Sequence, residues 1–443
     1  MAGLGKLTTG ERGEGQVQKK VFYGWYVVAA AFFTFGLAVG WPYYNISFFY
    51  DYFEKTFGWS KAQITFGFPL AAVLTLWVGP VLIPRFSPRK LIVVGTGLTC
   101  LAFLGFGNMG ANVYIYWALW VVYTVGYLLS GPIPHQVIIS QWFRAKRGRA
   151  MGVLYVGVGL VGFLGSFVVK PLTEGTNFHI ALMVMGVTVL LAWPLALLVH
   201  RDRPAEKGLY PDGADAPPAE IAVQSHSFRF LLSRYPFWLL LIGSACSIGS
   251  IGAVNFHMKF VFLDQMTISP QDPRFQPLLN STWRAASMII LASSIAGRLV
   301  IGTLFDKLNK KLVMMGSYFL SALTIPILLT VRPPETPWVF SLLFGFAMGA
   351  DYMLIPLMAA ELYGVNSLAR CMAIILPVNT ITQTWFPYLV SLIRQSFGTY
   401  SVAMGIVVFG VALMSGVAIA LLPMRERERA ALLAQPSKAA AER

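Results

Sequence analysis

Residues 302–312 have the sequence GTLFDKLNKKL, and residues 80–90, PVLIPRFSPRK, repeat its basic pattern. Each stretch separates two long apolar segments, and the two align with Lys307 opposite Arg85. A short basic loop that recurs after the same number of apolar segments indicates an internal duplication. The chain is therefore predicted to consist of two related halves, with parallel order of their segments.

The composition places those halves in a membrane. Of the 443 residues, 56% are hydrophobic and 12% are charged, whereas an ordinary soluble domain is about 25% charged. A helix needs about 20 apolar residues to cross the hydrocarbon core of a bilayer, and counting such runs predicts an all-α membrane protein with twelve transmembrane helices in two six-helix halves. The predicted segments are 22–50, 62–83, 91–110, 112–141, 149–170, 178–199, 236–263, 281–304, 311–331, 336–362, 368–396 and 400–423.

The polar stretches between the segments predict the domain boundaries and the orientation. About three quarters of the 34 lysine and arginine residues lie in the tails, the long central stretch and the even-numbered loops, and basic loops face the cytoplasm. Both termini are thus expected to be cytoplasmic in a multi-pass protein of the cell (inner) membrane. The predicted units are an N-terminal tail 1–21, a first half 22–199, a linker 200–235, a second half 236–423 and a C-terminal tail 424–443.

Several classes of function are excluded by missing patterns. The net charge of +15 is dispersed in short clusters, so no continuous basic face for nucleic acid is expected. The three cysteines have no C-x-x-C spacing, which argues against a metal site. Gly157, Gly159 and Gly162 match G-x-G-x-x-G, but no strand precedes them, and close helix packing is the better explanation. No catalytic signature is present, so we expect neither an enzyme nor a cofactor.

The second of the two loops resembles the G-x-x-x-D-[RK]-x-G-x-[RK] loop of the major facilitator superfamily. In the first copy Pro84 occupies the position of the acid. The resemblance implies the superfamily fold, with transport by movement of two halves, and it makes Arg85, Asp306 and Lys307 candidate gate residues. The match is carried by Gly302, Asp306 and Lys307, with Asn309 where glycine is usual.

Other stretches resemble the monocarboxylate-transporter and oxalate/formate-antiporter group of that superfamily. They are YGWYVVAAAFF at 23–33, RFSPRKLIVVG at 85–95, WFRAKRGRAMGVLYVGVGLVG at 142–162 and AGRLVIG at 296–302. In that group the arginine corresponding to Arg298 is associated with the substrate carboxylate. The chain departs from the mammalian members at Tyr43, where they have a lysine, and at Ser294, where they have an acid.

Two charged residues lie deep inside predicted segments, where charge is costly and usually functional. Arg298 offers a planar bidentate guanidinium to a carboxylate; alternatively it reaches the cytoplasmic end of its helix or pairs with Asp306. Asp351 lies near the bilayer midplane, and an acid there is a candidate to bind and release a proton. Its structural alternative is a static ion pair with Arg298.

Seven polar residues complete the expected substrate site. They lie within or beside predicted segments, and each can hydrogen-bond either a substrate or a neighbouring helix. These candidates are Tyr43, Tyr44, Asn45, His135, His257, Asn379 and Gln383.

The sequence thus predicts a monomeric secondary transporter in the lipid bilayer. Its expected substrate is a small organic anion, a mono- or dicarboxylate, carried by alternating access with possible proton coupling and without a metal. Two alternatives stay open: an exporter of amphipathic or cationic compounds, and a membrane sensor that does not transport.

Overall fold

The computed structural model describes residues 21–215 and 225–423. Over these residues the chain forms twelve long helical segments, numbered here in chain order. They are α1 (Gly24–Phe57), α2 (Lys61–Leu74 continued by Val78–Leu82), α3 (Pro88–Asn108), α4 (Val113–Trp142), α5 (Arg147–Gly175), α6 (Phe178–Leu198), α7 (Tyr235–Gln265), α8 (Phe275–Lys307), α9 (Lys310–Thr330), α10 (Trp338–Tyr363), α11 (Val365–Phe397) and α12 (Tyr400–Ala420).

These helices confirm the predicted fold class. Within the described residues, eleven helices are long and apolar enough to cross a membrane, and the remaining one, α2, contributes the shorter apolar stretch Ala62–Leu74. The α2 helix is interrupted after Leu74, where the Thr75 hydroxyl donates a hydrogen bond to the carbonyl oxygen of Ala71 at 2.7 Å. The chain therefore has two sets of six helices, α1–α6 and α7–α12.

Two helices of the first half bend where the sequence has proline. Helix α1 widens into a π-helical turn at Gly36–Gly40, immediately before Pro42. Helix α4 is interrupted at Gly131, and Pro132 begins its second part. Proline lacks an N–H group and its ring crowds the carbonyl four residues earlier, so regular α-helical bonding cannot continue through it. Both bends lie in helices that contribute side chains to the candidate site.

Glycines allow α5 to approach two helices closely. A Cβ atom on Gly157 would lie 2.3 Å from the carbonyl oxygen of Phe32 on α1, a distance that real Cβ atoms do not reach. On another face of α5, a Cβ atom on Gly152 would lie 2.5 Å from the carbonyl oxygen of Arg298 on α8. Close helix packing therefore accounts for this glycine pattern, as the sequence predicted.

The described parts of the linker are anchored to the two halves separately. In the first half, the Trp142 indole nitrogen donates to the carbonyl oxygen of Arg201 at 2.8 Å. In the second half, the backbone nitrogen of His226 donates to the Ser367 hydroxyl at 3.0 Å, and Arg370 donates to the His226 carbonyl oxygen at 2.8 Å. The end of the helix bundle that carries these contacts is called the linker end below.

Candidate functional site

Arg298 lies on α8 where the second half meets the first. It is nine residues from the end of α8 at Lys307, which places it about 13 Å from the linker end at 1.5 Å per residue. Its Nη1 atom donates to the Ser294 hydroxyl at 3.2 Å, whereas its Nε atom is buried without a partner. Across the interface, a Cβ atom on Gly159 of α5 would lie 3.3 Å from Nη1. The guanidinium therefore faces the opposite half.

Two tyrosines interact with this guanidinium directly, and three more are connected to it through them. Tyr44 and Tyr155 of the first half interact electrostatically with Arg298. Tyr127 interacts with both of them. It also interacts with Tyr43, and the ring centroids of Tyr127 and Tyr43 lie 6.2 Å apart. The fifth tyrosine, Tyr352 of the second half, interacts with Tyr43, Tyr44 and Tyr127. The name Arg298 site is used below for Arg298, Tyr43, Tyr44, Tyr127, Tyr155 and Tyr352.

Two glutamine side chains orient tyrosines of the site. In the first half, the Gln136 amide nitrogen donates to the Tyr155 hydroxyl oxygen. In the second half, the Tyr352 hydroxyl donates to Oε1 of Gln383 at 2.6 Å. A hydroxyl group has one proton to donate. Tyr155 thus keeps its proton for another acceptor, whereas the proton of Tyr352 is already engaged.

The Arg298 site carries positive charge without a carboxylate partner. Among the residues that the structure describes, the ion pairs within 4.0 Å do not include Arg298. Neither of the pairings that the sequence left open, with Asp306 or with Asp351, is formed. A guanidinium in this position offers donors for a planar anionic group.

Asp306 is instead engaged in a contact that closes the linker end. Its Oδ1 atom accepts from the backbone nitrogen of Gly148 at 2.6 Å, and its Oδ2 atom accepts from the backbone nitrogen of Arg149 at 3.0 Å. The Arg149 guanidinium also lies 3.3 Å from Oδ2, and the Asp306 side chain is 3% exposed. A carboxylate from the second half thereby caps the first turn of α5 in the first half, which is favourable because the N-terminal end of a helix is electropositive.

The backbones of α5 and α8 touch at the same level. A Cβ atom on Gly148 would lie 2.2 Å from the carbonyl oxygen of Gly302, and one on Gly302 would lie 2.5 Å from that of Gly148. The other two candidate gate residues do not take part. Arg85 and Lys307 are exposed, and neither side chain has a hydrogen bond or an ion pair with a described residue.

Two tyrosines of the Arg298 site are partly exposed. Tyr43 and Tyr44 lie in the interior of α1 and face other site residues, yet they are 38% and 51% exposed. Between Arg298 and the linker end, the backbones of α5 and α8 are in contact.

Asp351 lies on α10 beside the Arg298 site but points away from it. The Ser247 hydroxyl of α7 donates to its Oδ2 atom at 3.1 Å, while its Oδ1 atom is buried without a hydrogen-bond partner. The hydroxyl of Tyr318 on α9 is also buried, and it interacts with the Asp351 carboxyl group. The carboxyl group is 1% exposed. The next residue, Tyr352, faces the site, so adjacent positions on α10 serve two different environments.

His135 belongs to a buried hydrogen-bond chain at the core of the first half. Its Nε2 atom lies 2.8 Å from the Thr34 hydroxyl, and its Nδ1 atom lies 2.8 Å from the carbonyl oxygen of Gly131. The same Thr34 hydroxyl lies 3.0 Å from Nε2 of His200. The ring of His135 stacks on Phe35 at 5.0 Å. His135 thus lies outside the Arg298 site. Its side chain contacts the Gly131 carbonyl group, which the interruption of α4 leaves to be satisfied.

Three further candidates connect helices instead of facing the site. His257 lies 3.0 Å from the Tyr400 hydroxyl and 2.9 Å from the carbonyl oxygen of Pro387, which joins α7 to α11 and α12. The Asn379 amide oxygen accepts from the Ser244 hydroxyl at 3.1 Å. The amide nitrogen of Asn45 donates to the carbonyl oxygens of Trp41 at 2.8 Å and Gly162 at 3.1 Å. All three are buried, and each satisfies polar groups between packed helices.

Of the predicted substrate-binding residues, the structure thus brings Arg298, Tyr43 and Tyr44 together, with Gln383 attached through Tyr352. Sequence reasoning missed Tyr127, Tyr155 and Tyr352. A signal for them exists, because a tyrosine in the middle of an apolar segment needs a partner for its hydroxyl group. Tyrosine is also common at membrane interfaces, so residue type alone did not separate these three from the other tyrosines of the chain.

Comparison with known proteins identifies the family. A sequence model described as Major Facilitator Superfamily matches residues 27–376. The chain is 24% identical over 405 residues to monocarboxylate transporter 13 of Bos taurus, which covers 89% of this chain and 88% of that protein. It is 25% identical over 376 residues to the fujikurins efflux protein of Gibberella fujikuroi, with 81% of this chain and 73% of that protein covered. Among solved structures, the proton:xylose symporter XylE superposes with a TM-score of 0.65 at 12% identity, over 90% of this chain and 96% of that chain.

Proposed function

The chain belongs to the major facilitator superfamily of membrane transporters, and from that premise we propose that it is a secondary transporter of a small organic anion, with Arg298 as the group that binds the substrate carboxylate. The observation that carries the proposal is the guanidinium of Arg298, which lies between the halves with its Nε atom unpartnered and with no ion pair to a described residue. An anion supplies the missing charge and accepts the free N–H groups.

The similarity to proteins named monocarboxylate transporters agrees with this proposal. A relative named as an efflux protein raises the alternative of an exporter for amphipathic or cationic compounds. Arg298 argues against a cationic substrate, because an unpaired cation in the site repels another positive charge. We therefore favour the anion.

Uptake into proteoliposomes tests the role of Arg298. We expect Arg298→Ala to abolish uptake of radiolabelled lactate, oxalate, formate and benzoate while the protein stays folded. Arg298→Lys should recover little, since a point charge does not reproduce the bidentate geometry of a guanidinium. Arg284→Ala is the matched control, because Arg284 is an exposed arginine on the same helix, with its Nε atom bonded to the carbonyl oxygen of Asn280. Unchanged uptake and affinity in Arg298→Ala would contradict the proposal.

We further propose that transport is coupled to protons through Asp351. Its position supports this role: the carboxyl group is buried, the groups that interact with it are the neutral hydroxyls of Ser247 and Tyr318, and Arg298 is not paired with it. The neighbouring Tyr352 interacts with Tyr43, Tyr44 and Tyr127 across the site. A change of protonation at Asp351 can therefore be transmitted to the substrate site through the adjacent residue of α10, Tyr352.

The coupling proposal is tested by separating exchange from accumulation. Asp351→Asn imitates the protonated side chain, so counterflow of substrate should persist while accumulation driven by an inward proton gradient is lost. Asp264→Asn removes an acid from the outer end of α7, where Asp264 pairs with Arg394 at 3.6 Å, and should leave both activities intact. Gradient-driven uptake that survives in Asp351→Asn would remove this residue from the mechanism.

We also propose that the linker end faces the cytoplasm. The protein is further proposed to lie in the cell (inner) membrane as a monomer. The support is the excess of lysine and arginine in the tails, linker and loops of that end. In the resulting cycle, the α5/α8 contact closes the cytoplasmic side around Asp306 while the Arg298 site opens outward. A reporter fused within residues 216–224 should be active in the cytoplasm, and periplasmic activity would reverse the orientation.

A further inference from the structure

The charge of the Arg298 site limits the charge of its substrate. Arg298 is the one cation among the six residues of the site, and Lys259, another basic residue within a helix, instead lies 5.2 Å from the Trp283 ring toward the far end of the bundle. A carboxylate that leaves water without a charged partner is strongly disfavoured. One guanidinium neutralises one carboxylate, so a dicarboxylate would leave its second charge among phenol rings.

The walls of the site are aromatic. The ring of Tyr43 lies 5.7 Å from that of Tyr44, 5.9 Å from that of Phe68 and 6.2 Å from that of Tyr127, centroid to centroid. Near Arg298, the ring of Tyr155 meets Phe35 edge-on at 5.3 Å. Aromatic rings attract one another in edge-to-face and offset arrangements at such distances. The faces of Tyr43 and Tyr44 that remain exposed can make the same contact with a flat ring.

The polar groups of the site separate the carboxylate position from the ring position. Tyr155 accepts its hydrogen bond from Gln136, which leaves its own proton free for an acceptor, and it interacts electrostatically with Arg298. The Tyr352 hydroxyl donates its hydrogen bond to Gln383, so Tyr352 presents mainly its ring to the site. On the first-half side, Gly159 has no side chain between α5 and the guanidinium. Arg298 and Tyr155 are therefore two groups of the site with donors free for a carboxylate.

We propose that the substrate is a monocarboxylate with a flat aromatic body, bound with its carboxylate on Arg298 and Tyr155 and its ring among Tyr43, Tyr44 and Tyr127. This inference rests on the proposed role of Arg298 in binding an anion, and it adds the substrate class. Small aliphatic acids would fill the donor end and leave the aromatic walls in contact with water. Oxalate would carry one charge too many.

Competing substrates in proteoliposomes test the substrate class. At a pH above neutrality, with protein-free liposomes as background, we expect kcat/KM for radiolabelled benzoate to exceed those for lactate, formate and oxalate by about tenfold or more, since aromatic rings attract one another beyond the effect of buried area and the site offers several rings. Lactate, formate or oxalate transported as well as benzoate would overturn the substrate class while leaving the proposed function intact. Absence of uptake for all four anions would overturn the proposed function itself.

A pair of variants separates ring recognition from folding. Tyr43→Leu removes the ring and should raise KM for benzoate about fivefold, with little change for lactate. Tyr52→Leu is the matched control, because Tyr52 lies on the same helix with a similar exposure, 37% against 38%, but contacts Phe178 outside the site. Equal losses for benzoate and lactate in Tyr43→Leu, or an equal loss for benzoate in both variants, would show that the tyrosine acts structurally and overturn the inference.

Discussion

Among the helix pairs that join the two halves, α5 with α8 and α2 with α11 are held differently. In the α5/α8 pair the glycine backbones touch, and Asp306 accepts hydrogen bonds from two backbone N–H groups of the opposite half. In the α2/α11 pair a Cβ atom on Gly79 would lie 3.4 Å from the carbonyl oxygen of Ala373, an ordinary van der Waals distance. The first pair is therefore the tighter of the two.

The difference follows from one position of the duplicated loop. Asp306 in the second copy aligns with Pro84 in the first, so α2 has no carboxylate to offer to the first turn of α11. That turn is held by the linker instead. The backbone nitrogen of His226 donates to the Ser367 hydroxyl, and Arg370 donates to the His226 carbonyl oxygen. Opening of the linker end thus requires the breaking of charged contacts at α5/α8, whereas α2 and α11 separate across a mainly apolar surface.

The largest effect on this difference is expected from a substitution that forces the α5 and α8 backbones apart. In Gly148→Ala the added Cβ would lie 2.2 Å from the carbonyl oxygen of Gly302, and backbone atoms must move apart to admit it. We expect counterflow in proteoliposomes to fall by about tenfold or more, because overpacking a close contact costs about 1–3 kcal/mol and here acts on only one state of the cycle. The matched control is Gly79→Ala, whose Cβ has room, and it should retain activity close to wild type. Similar activity in both variants would contradict the proposed asymmetry.

A smaller effect is expected when the charge alone is removed. Asp306→Asn keeps the shape of the side chain but weakens its bonds to the electropositive end of α5, a loss of about 1–2 kcal/mol in a partly buried position. Such a loss shifts an equilibrium between two states by about five- to thirtyfold. Hydrogen exchange at the backbone amides of Gly148 and Arg149 should accelerate accordingly, while exchange in the first turn of α11 stays unchanged.

The control for this variant caps a helix within one half. Asp202 accepts from the backbone nitrogen of Arg89 at 3.0 Å and from the Ser87 hydroxyl at the start of α3, all in the first half. Asp202→Asn should accelerate exchange in the first turn of α3 and leave Gly148 protected. If Asp202→Asn accelerated hydrogen exchange at the Gly148 amide as much as Asp306→Asn does, a general loosening of the linker end would explain both results.

The sequence predicted the fold and the central charge but not which neighbouring side chains share a site. Apolar length and the repeated loop are sufficient for two six-helix halves, and the depth of Arg298 within its segment is enough to single it out. The direction of a side chain around a helix is harder. Tyr44 faces Arg298 while the adjacent Asn45 bonds to the carbonyl oxygens of Trp41 and Gly162.

The reason is that successive helix residues point about 100° apart, so correct depth does not give the correct face. His135 illustrates a second limit. Its position after two prolines indicates freed carbonyl groups, but only the packed structure shows that the histidine itself satisfies one of them and that Thr34 and His200 complete the chain. Contacts between distant segments of this kind have no signature in a single sequence.

The smallest predicted effect comes from restoring the missing acid. Pro84→Asp places a carboxylate in the turn that follows α2, at the position that aligns with Asp306. Because His226 and Arg370 already engage the first turn of α11, the new charge can add only a partial, solvent-screened interaction with that helix end, about 0.3–1 kcal/mol. Counterflow should slow by about two- to fivefold, because the linker end opens less often, and exchange in the first turn of α11 should slow by the same factor. Pro84→Asn, which removes the proline without adding charge, should not slow either process. If Pro84→Asn and Pro84→Asp behaved alike, the effect would come from the loss of proline, and the absent acid would not be the cause of the looser α2/α11 contact.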